Sequence, residues 1–330
     1  MCDSKEISSL SEYIEYIERL PLPICKSDPF LNMKYYFRGQ SNQNYRICPS
    51  IDREANKSSM NNWQILERAL INSALEKLPN LFGMDDYPAR LLAKLQHYGI
   101  PTRMMDLTKS PLVALYFACG QKCKDEVNPK DGKVVIMKGS AASVFDPWVN
   151  AIADTYFLTG NAWISFENYY NRVLHRPYAV NLIYSGRDND EEKAALIKNF
   201  IKKVSIPHIV ETGNLCERQI KQQGCFMIFP NDILAKDDDS DEMTLTDQMV
   251  KFDSEMSSEE ESDNNDQPAI VAELIIPSSA KKNILESLEK CGIREEFLFS
   301  DDANKVIYSI VENQRERLGL PVAENEENLQ

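Results

Sequence analysis

Residues 91–119, LLAKLQHYGIPTRMMDLTKSPLVALYFAC, place polar side chains between two apolar segments with helical spacing. The first segment stops at Gly99 and Pro101, which are typical of a helix C-terminus. The second starts at Ser110 and Pro111, which suit the cap and first-turn positions of a buried helix. Between the helices lie Gln96, His97, Arg103, Asp106, Thr108 and Ser110. This polar loop predicts either one wall of a ligand pocket or a buried polar network.

The rest of the chain predicts helices and strands without a regular β–α–β order. Further helices are expected at 5–20, 62–79, 89–98, 278–293 and 302–318, with Ser278 or Ser279 capping the fourth. Strands are expected at 33–41, 132–138, 178–185, 224–230 and 270–277, where branched and aromatic residues stand between Gly or Pro borders. We therefore predict an α+β fold, a mixed sheet flanked by helices.

Composition limits the classes of function. The chain of 330 residues is 43% hydrophobic and 27% charged, which suits a globular protein. It has no run of about 18 apolar residues and no signal-like N-terminus, so we expect a cytoplasmic protein without a membrane partner. The eight cysteines lack the paired spacing of a zinc site and predict reduced, packed thiols, so no metal site is expected.

Negative charge is concentrated in residues 236–266. This segment holds thirteen acidic residues against two lysines, a net charge of −11 out of −14 for the chain. Its few branched and aromatic residues predict a disordered acidic insertion. The charge balance also makes duplex nucleic acid an unlikely partner, because binding to phosphates requires a basic patch.

Four pieces of the sequence carry a family resemblance: YFRGQSNQNYRICPSIDR, LQHYGIPTRMMDLTKSPLVALYFAC, RQIKQQGCFMIFP and GIREEFLFSDD. Together they resemble the FRG domain family, named for the Phe-Arg-Gly found here at residues 37–39. The resemblance implies an FRG domain over 33–310 that contains the acidic insertion. Residues 1–32 would be a leading helix and loop, and residues 311–330 the end of a C-terminal helix and a polar tail.

The order of the motifs also resembles, more remotely, that of ADP-ribosyltransferases of the Arg-Ser-Glu type. This resemblance implies that Arg38 holds a phosphate or ribose of NAD, that Thr108 or Ser110 shapes the nicotinamide site, and that Gln223 occupies the place of the catalytic carboxylate. A neutral amide cannot offset positive charge, so Gln223 implies weak or altered chemistry or a fold that only binds, unless the fold brings Asp106, Glu211 or Glu217 into its place. The expected catalytic residues are Gln223, Arg38 and Ser110, and the expected ligand-binding residues are Arg38, Gln40, His97, Arg103, Asp106 and Thr108.

Two functions follow from these residues. The first is an ADP-ribosyltransferase-like bacterial enzyme that takes NAD or another nucleotide as substrate and acts on an unspecified macromolecular target, in defence or toxicity. The second is a non-catalytic binding or interaction module in which the same side chains hold the fold together. In that case Arg103 or Arg38 would pair with Asp106, and His97 would be a core histidine.

Overall fold

A computed structural model of the chain describes residues 3–25, 28, 30–55, 63–83, 87–120, 129–158, 164–179, 190–213, 217–235, 243–252 and 267–299. The helices are α1 Leu10–Glu18, α2 Ser50–Ala55, α3 Trp63–Lys77, α4 Pro79–Phe82, α5 Pro88–His97, α6 Pro111–Cys119, α7 Pro147–Leu158, α8 Phe166–Leu174, α9 Asp190–Val204, α10 Glu217–Lys221, α11 Ser278–Lys290 and α12 Glu295–Leu298. The strands are β1 Asp3–Glu6, β2 Met33–Gln40, β3 Met104–Thr108, β4 Gly132–Ser143, β5 Ile164–Ser165, β6 His208–Glu211, β7 Gly224–Ile228, β8 Asn231–Ala235, β9 Met243–Met249 and β10 Ala269–Ile276.

Seven of these strands form one mixed sheet in the order β1-β10-β4-β2-β3-β7-β6. The β1–β10 and β4–β6 pairs are parallel and the other pairs are antiparallel. Because β6 pairs again with the last residues of β4, the strands β4, β2, β3, β7 and β6 close into a ring. A separate three-stranded sheet has the order β5-β9-β8.

Strand alternation divides the apolar side chains of the ring between its inside and its outside. The inner cluster includes Tyr36, Met105, Val135 and Met227. Outside, one cluster packs strand residues such as Phe37 against α1, α6 and α11. A second outer cluster packs β3, β6 and β7 against α5, α7, α8 and α9. The ring is therefore covered by helices on two sides and filled with side chains.

Helix α6 lies directly against β2 and β4. A Cβ atom on Gly39 would stand 1.9 Å from the carbonyl oxygen of Ala114 and 2.7 Å from the amide nitrogen of Ala118. A Cβ atom on Gly132 would stand 2.2 Å from the carbonyl oxygen of Ala118. Only glycine allows the strand and helix backbones to approach so closely.

The structure confirms the α+β class and the mixed sheet flanked by helices. It also confirms the strands expected near 33–41, 132–138, 224–230 and 270–277 and the helices near 62–79, 89–98 and 278–293. Ser110 caps α6 as predicted, since its side chain accepts a hydrogen bond from the Val113 amide. The helix expected at 302–318 and the tail at 311–330 lie outside the described residues, as does most of the strand expected at 178–185.

Several details of the prediction were wrong. The helix expected at 5–20 is shorter, because residues 3–6 form β1 instead. Residues 104–108 form β3, although the polar stretch was expected to be a loop. The start of the 178–185 segment is a short 3-10 helix, Pro177–Ala179. Helix α11 has Pro277 at its cap position and no side-chain cap from Ser278 or Ser279.

Part of the acidic segment is ordered, which corrects the expectation of disorder for residues 243–252. Strand β9 pairs with β5 and β8, and Leu245 and Phe252 are buried. These two side chains bury apolar surface, which the mostly acidic composition of the whole segment did not indicate. Residues 236–242 and 253–266 lie outside the described part.

In the described ranges, no helix combines the length and apolar composition that crossing a bilayer requires.

Candidate functional site

The side chain of Arg38 lies at one end of the strand ring. Its Nη1 donates a hydrogen bond of 2.6 Å to the main-chain carbonyl of Asp106 on β3. Its Nε is buried and has no hydrogen-bond partner among the described residues. Burial lowers the pKa of the Arg38 guanidinium, the charge of Asp106 opposes this shift, and the charge of Arg53 adds to it. Arg38 therefore keeps an N–H donor available beside other charged groups.

Gln40 follows Arg38 on the same face of β2. Its side chain is only 4% exposed, and its Nε2 donates to the main-chain carbonyl of Arg46 at 3.2 Å. This bond fixes the direction of the amide, and Oε1 is left buried without a partner in the described structure. Two neighbouring same-face positions of β2 thus carry one unused donor and one unused acceptor.

The loop after β2 carries Arg46, and helix α2 carries Arg53. Arg53 donates to the Cys48 carbonyl at 3.2 Å, and Arg46 forms an ion pair of 3.4 Å with Asp52. The thiol of Cys48 is buried, and burial followed by the charge of Asp52 raises its pKa. We call this group the Arg38 site. Its members are Arg38, Gln40, Arg46, Cys48, Asp52, Arg53 and Asp106.

Asp106 contacts Arg38 through its main-chain carbonyl, while strand alternation turns its side chain to the face of β3 that carries Thr108. It is exposed on β3, and its Oδ2 accepts a hydrogen bond of 3.0 Å from Nε2 of Gln96. The Oε1 of Gln96 in turn accepts from the hydroxyls of Ser50 and Thr102 at 3.1 and 3.0 Å. This chain of bonds ties the orientation of the carboxylate to α5 and to the start of α2.

Arg103 belongs to the core, contrary to the expectation that it binds a ligand. It is completely buried and forms an ion pair of 2.6 Å with Glu67 on α3. Its Nε also donates to Glu67, and its Nη1 donates to the Ile152 carbonyl, the Thr155 hydroxyl and the Asn231 side chain. Arg103 therefore does not pair with Asp106, and it joins α3, β3, α7 and β8.

Thr108, Ser110 and Gln223 lie together, but apart from the Arg38 side chain. Thr108 stands opposite Phe37 in the β2–β3 register, so strand alternation points it to the other face of the sheet from Arg38. Its hydroxyl donates to the Gln222 carbonyl at 2.6 Å and accepts from the Ser110 amide at 3.0 Å. Gln223 is exposed in the turn before β7, with φ +47°. These hydroxyls hold the strand end in place.

The remaining candidates are spread over the fold. His97 is the last residue of α5, rather than part of a loop, and its ring meets that of Tyr98 edge-on at 5.0 Å. Glu217 lies on α10 in an ion pair with Lys221. Glu211 ends β6 and lies 3.6 Å from both Lys34 and Lys109. Of the three acidic residues considered as replacements for Gln223, Asp106 is the one that contacts Arg38, through its main-chain carbonyl, and the one whose charge acts on the Arg38 pKa.

Residues 33–127, from the start of β2 to beyond the end of α6, match a known family model. The match is to the FRG domain. It confirms the resemblance expected from the motifs for this part of the chain, while the wider range 33–310 extends beyond the match. No curated protein and no solved structure matches the chain. The resemblance to ADP-ribosyltransferases therefore has no support from these comparisons.

The structure explains the Phe-Arg-Gly signature of the FRG domain residue by residue. Phe37 packs in the outer cluster with α6, whereas Arg38 projects to the opposite face of β2. Gly39 allows α6 to approach at Ala114 and Ala118. Two residues of the signature thus serve packing, and the arginine is the one with unused hydrogen-bonding capacity.

Sequence reasoning assigned no role to Arg46, Asp52, Arg53 and Glu67, and it treated Cys48 only as a packed thiol. Cys48, Asp52 and Arg53 lie in the stretch YRICPSIDR of the first quoted piece. Its charged residues follow a predicted strand closely, and this pattern could have indicated that they lie near Arg38. Glu67 shares a buried stripe of α3 with Trp63 and Ile71. A carboxylate in such a stripe requires a buried partner, which here is Arg103.

Proposed function

We propose that the Arg38 site binds a phosphate-bearing nucleotide, with NAD as the candidate ligand. The observation that carries this proposal is the buried Nε of Arg38, which has no hydrogen-bond partner among the described residues and stands beside Arg53. Guanidinium groups bind phosphate oxygens through directed hydrogen bonds and keep their charge when partly buried. Arg38 and Arg53 give this end of the ring a local positive charge in a chain whose net charge is −14, and a local positive charge favours an anion.

The chemistry proposed at this site is transfer or hydrolysis of the ADP-ribosyl group. The bond between ribose C1 and the nicotinamide nitrogen breaks, and its electron pair leaves with nicotinamide. Water or an acceptor hydroxyl then bonds to C1 and loses its proton to solvent. Asp106 is our candidate for the carboxylate that stabilises the positive ribose, since its charge acts on the Arg38 guanidinium and Gln223 carries no charge.

The proposal is tested by calorimetric titration of the full chain with NAD, with free nicotinamide assayed in the same samples. Arg38→Ala is expected to weaken binding roughly 10- to 100-fold, the value of a hydrogen bond to a charged group. Arg19→Ala is the matched control, because Arg19 is exposed on α1 and pairs only with Glu15 in the described structure. Equal affinity in wild type and Arg38→Ala, or no binding by wild type, would overturn the proposal.

A second candidate function is nucleotide binding without turnover. It is favoured by Thr108 and Ser110, whose hydroxyls are already used within the fold. Under this alternative, NAD binds through Arg38 but no nicotinamide is released. Asp106→Asn separates the two functions: it is expected to abolish nicotinamide release if the site is catalytic, and to leave NAD affinity within about threefold in either case.

A further inference from the structure

We infer that the Arg38 site binds a sugar hydroxyl as well as a phosphate. Its ligands are therefore ribonucleotides rather than simple phosphates. The inference rests on the proposed function and adds the class of ligand. It comes from Gln40, whose buried Oε1 is a hydrogen-bond acceptor without a partner in the described residues. A phosphate oxygen cannot satisfy this atom, because both groups are acceptors.

The direction of the Gln40 amide is fixed by its surroundings. Nε2 donates to the Arg46 carbonyl, so Oε1 must face away from the loop between β2 and α2. Exchanging the two amide atoms would place an oxygen against that carbonyl and lose the bond. At 4% exposure, water does not satisfy this oxygen, and a ligand donor would supply the missing hydrogen bond.

The spacing on β2 sets what the ligand must present. Residues 38 and 40 point to the same face, about 7 Å apart along the strand. A ligand that fills both positions needs an anionic acceptor for Arg38 Nε and, at a comparable distance, a neutral donor for Gln40 Oε1. A ribose 5′-phosphate unit has this arrangement, since its ring hydroxyls lie several bonds away from the phosphate. Lys133, opposite Gln40 in the register, donates to Glu273 at 3.0 Å and makes no hydrogen bond to the Gln40 oxygen.

The test compares three probes by calorimetry at pH 8 on the full chain: ADP, 2′,3′-dideoxy-ADP and inorganic pyrophosphate. Wild type is expected to bind ADP about tenfold more tightly than the dideoxy analogue, the value of one hydrogen bond near 1.4 kcal/mol. In Gln40→Leu this preference is expected to disappear while pyrophosphate affinity stays within about twofold. Gln43→Leu is the control. Gln43 lies in the loop after β2, and its Nε2 donates to the Asp131 carboxylate, so this variant is expected to keep the preference for ADP.

Each outcome decides one question. Equal binding of ADP and its dideoxy analogue by wild type overturns the inference while the anion site of the proposed function stands. The comparison of ligands requires no variant, so it remains decisive if Gln40→Leu fails to fold. Loss of pyrophosphate binding in folded Gln40→Leu also overturns the inference. Gln40 would then be needed to position Arg38 for the phosphate, and the loss would not report a contact with the sugar. No binding of any probe or of NAD overturns the proposed function itself.

Discussion

The ion pair between Arg103 and Glu67 shows how one residue can hold several elements together. Both side chains are completely buried, and the arginine reaches α3, α7 and β8. Removing one partner of such a pair leaves an uncompensated charge in a medium of low polarity. Glu67→Gln is therefore expected to lower the free energy of unfolding by about 3–5 kcal/mol, as measured by urea denaturation.

The matched control for this prediction is Glu15→Gln. Glu15 pairs with Arg19 on the exposed side of α1, where both side chains are more than half exposed. Solvent screens this pair, so the control should change stability by less than about 1 kcal/mol. Similar losses in the two variants would contradict the central role given to Arg103.

Asp154 predicts a pH dependence of stability. It is buried on α7, forms an ion pair of 2.7 Å with Arg176, and accepts from the Tyr178 hydroxyl at 2.9 Å. Burial raises its pKa from 3.8 to about 6, against the opposing effects of Arg176 and Tyr178. The folded state thus binds this proton more tightly than the unfolded state. The resulting stabilisation is complete below about pH 4 and is lost as the pH rises through about 6.

Denaturation of wild type and Asp154→Asn at a series of pH values from about 4 to 7 measures this effect. The unfolding free energy of wild type should fall relative to the variant by on the order of 3 kcal/mol across the window. Two curves that run parallel over the whole range would show that the Asp154 pKa is the same in both states.

Residue types marked candidate ligand-binding residues, but they did not indicate how the polar residues pair. The assignment of Arg38, Gln40 and Asp106 to ligand binding stays a prediction; the structure places Arg38 and Gln40 on one face of β2 and Arg38 against the main-chain carbonyl of Asp106. The partner of Arg103 was not predictable, because it depends on which helix packs over β3. The same is true of Thr108, whose face of the sheet follows from the register with Phe37.

At the scale of elements, the contact of α6 with β2 should be intolerant of any added atom. Gly39→Ala would place Cβ against two backbone atoms of α6, which cannot move aside as a side chain can. We expect a loss of about 3 kcal/mol or more in unfolding free energy, or failure to fold, measured by denaturation and circular dichroism.

Gly99→Ala, just after the end of α5, is the control for Gly39→Ala. Gly99 ends α5 with φ +82°, and a Cβ atom there would meet nothing within 4 Å. Its cost is limited to backbone strain, about 1–2 kcal/mol. A larger loss at Gly99 than at Gly39 would contradict the close approach of α6.

Elements with strong local signals were predictable, and elements defined by their partners were not. The Ser110–Pro111 start of α6 and the branched residues of β10 determine their structure locally. Strand β1, with the sequence DSKE, has no strand propensity of its own and forms because β10 offers it a parallel edge. Strand β9 was not predicted either, because acidic residues flank it on both sides and lowered the apolar content of the segment.

For the whole molecule, the net charge of −14 should weaken the binding of every anionic ligand. Residues 253–266 contain seven of the acidic residues and no basic ones. Replacing these seven by Asn and Gln is expected to raise ADP affinity a few-fold at about 0.01 M ionic strength. The gain should vanish near 1 M, where the Debye length is about 3 Å. An unchanged affinity at low salt would mean that only the local arginines matter.

The closure of β4, β2, β3, β7 and β6 into a ring also bears on how the protein behaves when concentrated. A strand with unpaired amides is a template on which other chains can add, and in the described residues each strand of the ring has a neighbouring strand on both sides. In the described part of the large sheet, the outermost strand beyond the ring is β1, which has four residues, three of them charged. A short, charged margin of this kind resists strand-to-strand association, so this sheet is protected against the growth of fibrils.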